Sequence, residues 1–227
     1  MAIPDRDPIA TFRQWQAEAA GEIASTDPFR VRVAVALARP VRRSFAWLVG
    51  RGELPRADAA ALATVTPDGK PTMRMVLVKT ATAEGFLFYT SYGSAKGQDL
   101  AANPHAALAF HWPLPPRQVR VEGPVERLSA AESDAYWHTR PRGSQLAAAA
   151  SEQSAPLPDR RDLLARVAEL RQRFRGQPVP RPDTWGGYRL VPARIELWEG
   201  RPSRLHDRLR FDRRPGHDDW DVVALQP

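Results

Sequence analysis

Between Ala60 and Leu128 the chain is cut into strand-length runs in which apolar and polar side chains alternate, and this pattern limits the fold more than any other feature. The runs are AALATVT (60–66), KPTMRMVLVK (70–79), GFLFYTS (85–91), HAALAFHW (105–112) and RQVRVEGPVERL (117–128). Alternation with period two marks half-buried strands. The punctuation between them is turn chemistry: Pro67-Asp68-Gly69 after the first run, and the Pro-rich stretch from Pro113 to Pro116 before the last. Only one short helix, SAKGQDLAA (94–102), interrupts the series before Asn103-Pro104 ends it. Sequential short strands with few helices between them predict a mainly β, α+β architecture, an antiparallel barrel flanked by helices.

The flanking helices have their own signals. Asp7-Pro8 is a cap followed by proline at the first helical position, and Ile9, Phe12, Trp15 and Ala19 recur at helical spacing to about Ile23. Asp27-Pro28 opens the next segment. Val31, Val33, Val35 and Leu37 alternate like a strand there, while the alanine content and the length favour helix. Pro40 breaks that run, so two short helices are expected. Ser129 with Glu132 forms a capping box for a helix to Thr139, which Pro141 stops. A further helix is expected from Asp159 to Arg175, with Leu163, Leu164, Val167, Leu170 and Phe174 on its apolar face. Residues 1–56 thus form an N-terminal helical segment, and residues 57–227 the barrel domain.

Near the C-terminus, IELWEG (195–200) and RLHDRLRF (204–211) read as a strand pair joined by a turn from Gly200 to Ser203. Alternation in the second strand would set Arg204, His206 and Arg208 on one face, beside Trp198. Three donor-rich side chains on one face are costly to bury without an anionic partner. Such a face suits a planar, negatively charged ligand, and the same spacing also fits a solvated edge strand.

WGGYRL, ELWEG and RLHDR together resemble the C-terminal region of the pyridoxamine 5′-phosphate oxidase family, and the resemblance extends back to about Ala59. It implies an FMN-binding split β-barrel and a homodimer with two FMN sites at its interface. The implied reaction is oxidation of pyridoxamine or pyridoxine 5′-phosphate to pyridoxal 5′-phosphate, with O2 as acceptor and hydrogen peroxide as product. The stretch between the first helix and the first barrel strand resembles an insertion relative to that family. The family's residue roles fall on the cofactor side to Arg74, Met75, Val76, Tyr89, Thr90, Lys96, Gln118, Trp198 and Arg208. Gln153 and Ser154 match a pair that touches FMN from the neighbouring subunit. On the substrate side they fall to Lys79, Tyr136, Arg140 and Ser144 for the phosphate, with Arg204 and His206 over the substrate ring as the catalytic pair.

Read without the resemblance, several of these residues have plainer meanings. RMVLVK (74–79) fits a core strand with charged ends, Gln118 a solvent-facing strand residue, and Arg140 a cation favoured at a helix C-terminus. Tyr136 and Arg140 lie four apart, so they share a helix face. The chain also departs from the family: Ala95 stands where an arginine is usual, Leu146-Ala147-Ala148-Ala149 where Ile-Gly-Ala-Trp is common, and Ala224 where a cation precedes the leucine. One lost charge-assisted contact to FMN phosphate costs about 1.5–3 kcal/mol, so weakened FMN binding is expected.

Composition narrows the classes further. There is no cysteine, which excludes disulfides and thiolate metal sites, and the histidines 105, 111, 138, 206 and 217 lack metal-ligand spacing. No apolar run reaches the roughly 20 residues that span a bilayer. The N-terminus lacks a secretory layout, so a cytoplasmic protein without membrane partners is expected. A net charge of +7 suits phosphorylated small molecules or nucleic acid, but no aromatic-basic platform supports nucleic acid. An oxidase of another aromatic, phenazine-type substrate, or a non-catalytic flavin- or B6-binding protein, stands as the alternative.

Overall fold

In the computed structural model, residues 7–22, 56–214, 216, 217 and 219–227 are described. The two short helices expected around Pro40, and the end of the first helix at Ile23, lie outside these residues. The described strands are β1 (Ala59–Val65), β2 (Pro71–Thr82), β3 (Gly85–Ser91), β4 (His105–Pro113), β5 (Pro116–Arg127), β6 (Trp185–Leu190), β7 (Arg194–Glu199), β8 (Asp207–Arg213) and β9 (Trp220–Ala224). The helices are α1 (Pro8–Ala20), α2 (Ala95–Ala102), α3 (Ala130–Thr139), α4 (Arg142–Ala150) and α5 (Arg160–Arg173). Among the described residues no helix is long and apolar enough to cross a membrane.

All strand pairings are antiparallel, and the order β4-β1-β2-β3-β6-β5 closes on itself through β4–β5. The result is a six-stranded barrel. From β5 a second ladder leaves the ring, β7-β8-β9. Alternation along each strand sends Leu62, Phe86, Phe88, Leu108, Phe110, Val119 and Val121 into one core. Helix α1 completes it. Asp7 caps α1 by accepting from the Ile9 amide at 2.8 Å, and Gly21 ends it at φ 77°. Its apolar stripe then buries Ile9, Phe12 and Trp15, with Phe12 fully enclosed among Phe86, Phe110 and Trp112 at centroid distances of 5.0, 4.7 and 5.7 Å.

The barrel is split between β2 and β3. The β1–β2 ladder runs over residues 71–77 of β2, whereas the β2–β3 ladder begins only at Val78↔Phe88. Residues 74–77 therefore have no strand partner on the β3 side among the described residues. At the parting point β2 carries one extra residue, since Val78 pairs with Phe88 and Thr80 with Leu87. Lys79 is the bulged residue, and a bulge re-aims the side chain it carries.

Two sequence expectations need correction. The segment 204–211 is not one strand: β8 begins at Asp207, and Pro202–Arg204 forms a 3₁₀ turn in which Ser203 and Arg204 take φ of 58° and 62°. The alternation of arginines imitates a strand, but two consecutive left-handed residues cannot continue one. Arg204, His206 and Arg208 therefore do not form a row on one strand face, and the β7–β8 connection extends through residues 200–206. Secondly, the proline expected to stop the helix at Thr139 also opens another: Pro141 ends α3 and precedes α4, which carries Ser144. Residues 147–150, four alanines, have the strongest intrinsic helix preference and continue that helix.

Candidate active site

Where β2 and β3 part, a cleft of about 740 Å³ opens. One wall is the unpaired edge of β2, Arg74 to Leu77, with Lys79. Another is the end of β3, Tyr89 to Ser91, with Lys96 from the start of α2. Across from them stand Tyr136 and Arg140 of α3, Ser144, Ala147 and Ala148 of α4, Gln153 and Ser154 beyond it, and Trp185. The structure thus gathers twelve of the residues singled out from sequence: Arg74, Met75, Val76, Lys79, Tyr89, Thr90, Lys96, Tyr136, Arg140, Ser144, Gln153 and Ser154.

At the β3 end the cations are held by short-range polar partners. Ser94 caps α2, and Gly97 lies so close to the Tyr92 carbonyl that a Cβ there would stand 2.2 Å from the oxygen. That tight first turn tucks Lys96 inward, with Nζ 3.2 Å from Thr90 Oγ1 and 3.3 Å from Ser94 Oγ. Burial pushes the Lys96 ammonium pKa down, the Arg74 charge adds to that, and Asp99 opposes it. Arg74 donates to Thr64, to Thr72 at 2.7 Å and to Asp99 at 3.3 Å. Asp99 in turn accepts from Thr64 at 2.6 Å and Thr72 at 2.9 Å. Two cations, one carboxylate and the hydroxyls of Thr90 and Ser94 leave a local excess of positive charge and donors.

Another part of the cleft wall is aromatic and cationic. Tyr89 and Tyr136 stack with centroids 3.7 Å apart, and Trp185 lies near-parallel to both. Behind them a satellite core of Trp137, Leu146, Val179 and Trp185 fixes α3 and α4, with Trp137 Nε1 donating to the Val179 carbonyl at 2.8 Å. The Arg140 guanidinium lies 4.6 Å from the Trp185 ring and 5.1 Å from Trp137. Its Nη1 is buried and finds no hydrogen-bond partner among the described residues. Burial pushes the Arg140 pKa down, with Tyr136 opposing. Lys79 is held differently: its Nζ lies 2.7 Å from Asp58 Oδ2, while Arg56 Nε takes Asp58 Oδ1 at 2.9 Å. Burial acts to raise the Asp58 carboxyl, but those two cations outweigh it and leave its pKa below the usual value.

The remaining candidates are elsewhere. Gln118, Trp198 and Arg208 line a second, smaller cleft of about 220 Å³ with Arg120, Glu196 and Pro227, and among the described residues none lines both clefts. The pairings Gln118↔Trp198 and Trp198↔Arg208 set the three across β5, β7 and β8. Glu196 neutralises Arg208, Oε1 to Nε at 2.9 Å, and the Gln226 carbonyl takes Nη1 at 3.0 Å. His206 packs on Trp198 with centroids 4.6 Å apart, and Arg204 is exposed at the 3₁₀ turn. Gln153 and Ser154, expected to act from a neighbouring subunit, line the first cleft of their own chain. Gln153 Oε1 accepts from Thr90 Oγ1 at 2.8 Å there.

Sequence reading missed Asp58, Asp99 and Trp185. Asp58 and Asp99 reach Lys79 and Arg74 across 21 and 25 residues of chain, and no local pattern announces such pairs. Trp185 opened a recognised motif, yet its place beside Arg140 depends on how α3 packs.

The family model described as pyridoxamine 5′-phosphate oxidase matches residues 51–174, and the model described as pyridoxine 5′-phosphate oxidase C-terminal dimerisation region matches residues 185–227. The chain is 52% identical over 221 residues to pyridoxine/pyridoxamine 5′-phosphate oxidase 1 of Ralstonia nicotianae, covering 96% of this chain and 99% of that protein. It is 53% identical over 191 residues to the pyridoxine/pyridoxamine 5′-phosphate oxidase of Rubrobacter xylanophilus, covering 83% and 87%. Among solved structures, PhzG of Burkholderia lata, in complex with tetrahydrophenazine-1-carboxylic acid, superposes with a TM-score of 0.71 at 31% identity, over 92% of this chain and 96% of that one.

Proposed function

We propose a function from one premise: this chain belongs to the pyridoxamine 5′-phosphate oxidase family. On that premise it oxidises pyridoxamine or pyridoxine 5′-phosphate to pyridoxal 5′-phosphate, using O2 and releasing hydrogen peroxide. The observation that carries the substrate assignment is Arg140 Nη1, a buried guanidinium nitrogen without a partner among the described residues, in the same cleft as Tyr136, Ser144 and Lys79. A donor set of this kind lacks only an anion with several acceptor oxygens, which a phosphate monoester provides.

The residues present also fit FMN. Lys96, Arg74, Thr90 and the α2 N-terminus form a donor-rich pocket for its phosphate, and the unpaired β2 edge from Arg74 to Leu77 offers backbone groups to a flat polar ring. Hydride acceptance from the substrate C4′ carbon, and reoxidation by O2, are the chemistry that bound FMN would supply. The chain's own part is binding and orientation: Lys79, Tyr136, Arg140 and Ser144 hold the substrate phosphate, and Arg204 and His206 face the substrate ring. Trp198, Arg208 and Gln118 hold the cofactor. Because these last five lie away from the first cleft, we assign them to the partner subunit's site in a homodimer. The family model for the C-terminal region, described as a dimerisation region, supports that assembly.

Ala147 and Ala148 in the cleft wall favour a second reading, an oxidase of a bulkier aromatic acid, in line with the likeness to PhzG. Titration with FMN, followed by peroxide release with pyridoxine 5′-phosphate or with a tricyclic aromatic acid, separates the two. Ala95→Arg should tighten FMN binding. No FMN binding at any concentration overturns both readings.

A further inference from the structure

A chain of charges, buried at its inner end and partly exposed at its outer one, runs from the first helix to the loop that carries Arg204 and His206. Glu18, on the inner face of α1, is wholly enclosed, and its Oε2 lies 2.6 Å from Arg117 Nη1. Its other oxygen accepts from Gln14 Nε2 at 3.0 Å. Arg117, on β5, is itself buried, with its guanidinium 4.5 Å from the Trp15 ring and Nε 3.3 Å from Glu199 Oε1. Glu199, at the end of β7, passes its second oxygen to Arg201 Nη2 at 2.8 Å, and Arg201 Nε reaches Asp207 Oδ2 at 2.7 Å. The strand register explains the alignment, because Arg117 pairs with Glu199 and Glu199 with Asp207.

Stability alone does not account for such a chain. Desolvating buried ions costs about as much as their attraction returns, and well-packed apolar replacements are often neutral or stabilising. What the chain does hold is the loop. Arg201, at its start, is clamped between Glu199 and Asp207, and its backbone N–H donates to His206 Nδ1 at 3.1 Å. With Nδ1 as acceptor, the neutral imidazole carries its proton on Nε2. The same loop contains Ser203 and Arg204 at positive φ, conformations that persist only where the surroundings over-determine them.

We propose that Glu18 and Arg117 are positioning residues of the oxidase site: acting through Glu199 and Arg201, they fix the 200–206 loop and hold His206 as the Nε2–H tautomer. The proposal rests on the reading of Arg204 and His206 as the pair that faces the substrate. It makes α1, which carries no residue assigned to either cleft, a working part of the site.

The test uses the full chain with FMN. Glu18→Gln removes the charge and keeps the shape; Glu18→Leu combined with Arg117→Met replaces the buried pair with apolar volume and guards against misfolding. Both should lower kcat with pyridoxine 5′-phosphate by about 10²-fold, as misplacement of reacting groups by an ångström does. KM and flavin content should stay within about two-fold in both, and Tm within about 3 °C in the double variant. Glu18→Gln, which leaves the buried Arg117 charge to Glu199 alone, should melt lower, so the double variant carries the comparison with Tm. Nitrogen chemical shifts of the His206 ring, read above pH 8 without substrate, should move from the Nε2–H tautomer to a mixture. The proposal is overturned if the tautomer is unchanged, or if activity falls only in step with Tm or flavin content. Since the ring shifts need no turnover, they decide this proposal even for a chain that fails to oxidise pyridoxine 5′-phosphate, a failure that would count against the functional reading alone.

Discussion

Truncating Arg140 to alanine should separate substrate binding from everything else the chain does. The guanidinium carbon lies over the Trp185 and Trp137 rings, and its Nη1 is buried without a partner among the described residues. A phosphate that supplies the missing acceptor gains one charge-assisted hydrogen bond, worth about 1.5–3 kcal/mol. At about 1.36 kcal/mol per decade, losing it raises KM roughly 10- to 150-fold. On the proposed assignment the contact is to a phosphate remote from C4′, so it would exist equally in ground and transition states and kcat should change by less than about three-fold. The ligand-free protein should tolerate the change. Alanine forfeits the ring contacts, about 0.5–2 kcal/mol, but also removes a half-buried cation whose ionisation burial already disfavours. Peroxide release is measured against pyridoxine 5′-phosphate and against unphosphorylated pyridoxine. The ratio of the two KM values should collapse in Arg140→Ala. An unchanged KM for the phosphorylated compound, with a changed affinity for FMN, would refute the assignment.

Three further outcomes follow from other contacts. Asp58→Asn frees Lys79 from a partly exposed pair worth about 0.2–1 kcal/mol, so KM for the phosphorylated substrate should fall by a factor of about 1.4 to 5; a rise would mean that Asp58 aims Lys79. Phe12→Ala empties a fully enclosed site and should cost about 3–5 kcal/mol, seen as a Tm lowered by about 6–20 °C; a loss under 2 °C would show that α1 adds little to the barrel core. Burial acts to raise the Asp99 carboxyl, but Thr64, Thr72 and Arg74 outweigh it and hold its pKa below the ordinary 3.8. A depressed pKa contributes stability that is complete above 3.8 and lost as pH falls through the lower folded value. Acid melts from pH 5 to about pH 2 should therefore be flatter for Asp99→Asn than for the parent, and parallel curves would discount this contribution.

The barrel was legible because its signals are local. Alternation in GFLFYTS and HAALAFHW, the turn at Pro67-Asp68-Gly69 and the Ser129–Glu132 capping box each depend on neighbours within a few residues, and each stands in the structure as read. The first cleft was legible by resemblance, since Arg74, Lys79, Lys96 and Arg140 carry no individual signature. The loop at 200–206 was misread because arginines at every second position imitate a strand, whereas the backbone there is set by Pro202 and two positive φ angles. Helix α4 was overlooked because a proline that closes one helix also serves as the first residue outside the next. The Glu18–Arg117 pair was out of reach altogether, because 99 residues separate its members and only the closed barrel brings them together.

The position of β5 has a consequence for every variant considered above. Residues 117–122 of β5 are flanked by β4 on one side and β7 on the other, and Val125 to Arg127 then pair with β6. No edge loop or terminal helix can fray and release the amides of Val119 and Val121, which lie in the enclosed core. Their deuterium uptake must wait for the whole barrel to open, so its rate reports the global unfolding free energy. A peptide spanning 117–122 in a deuterium-exchange experiment is thus a stability gauge built into the chain. A substitution at Arg140 or Asp58 that only alters ligand binding leaves the protection of that peptide unchanged, and one that loosens the barrel registers there before any rate is measured.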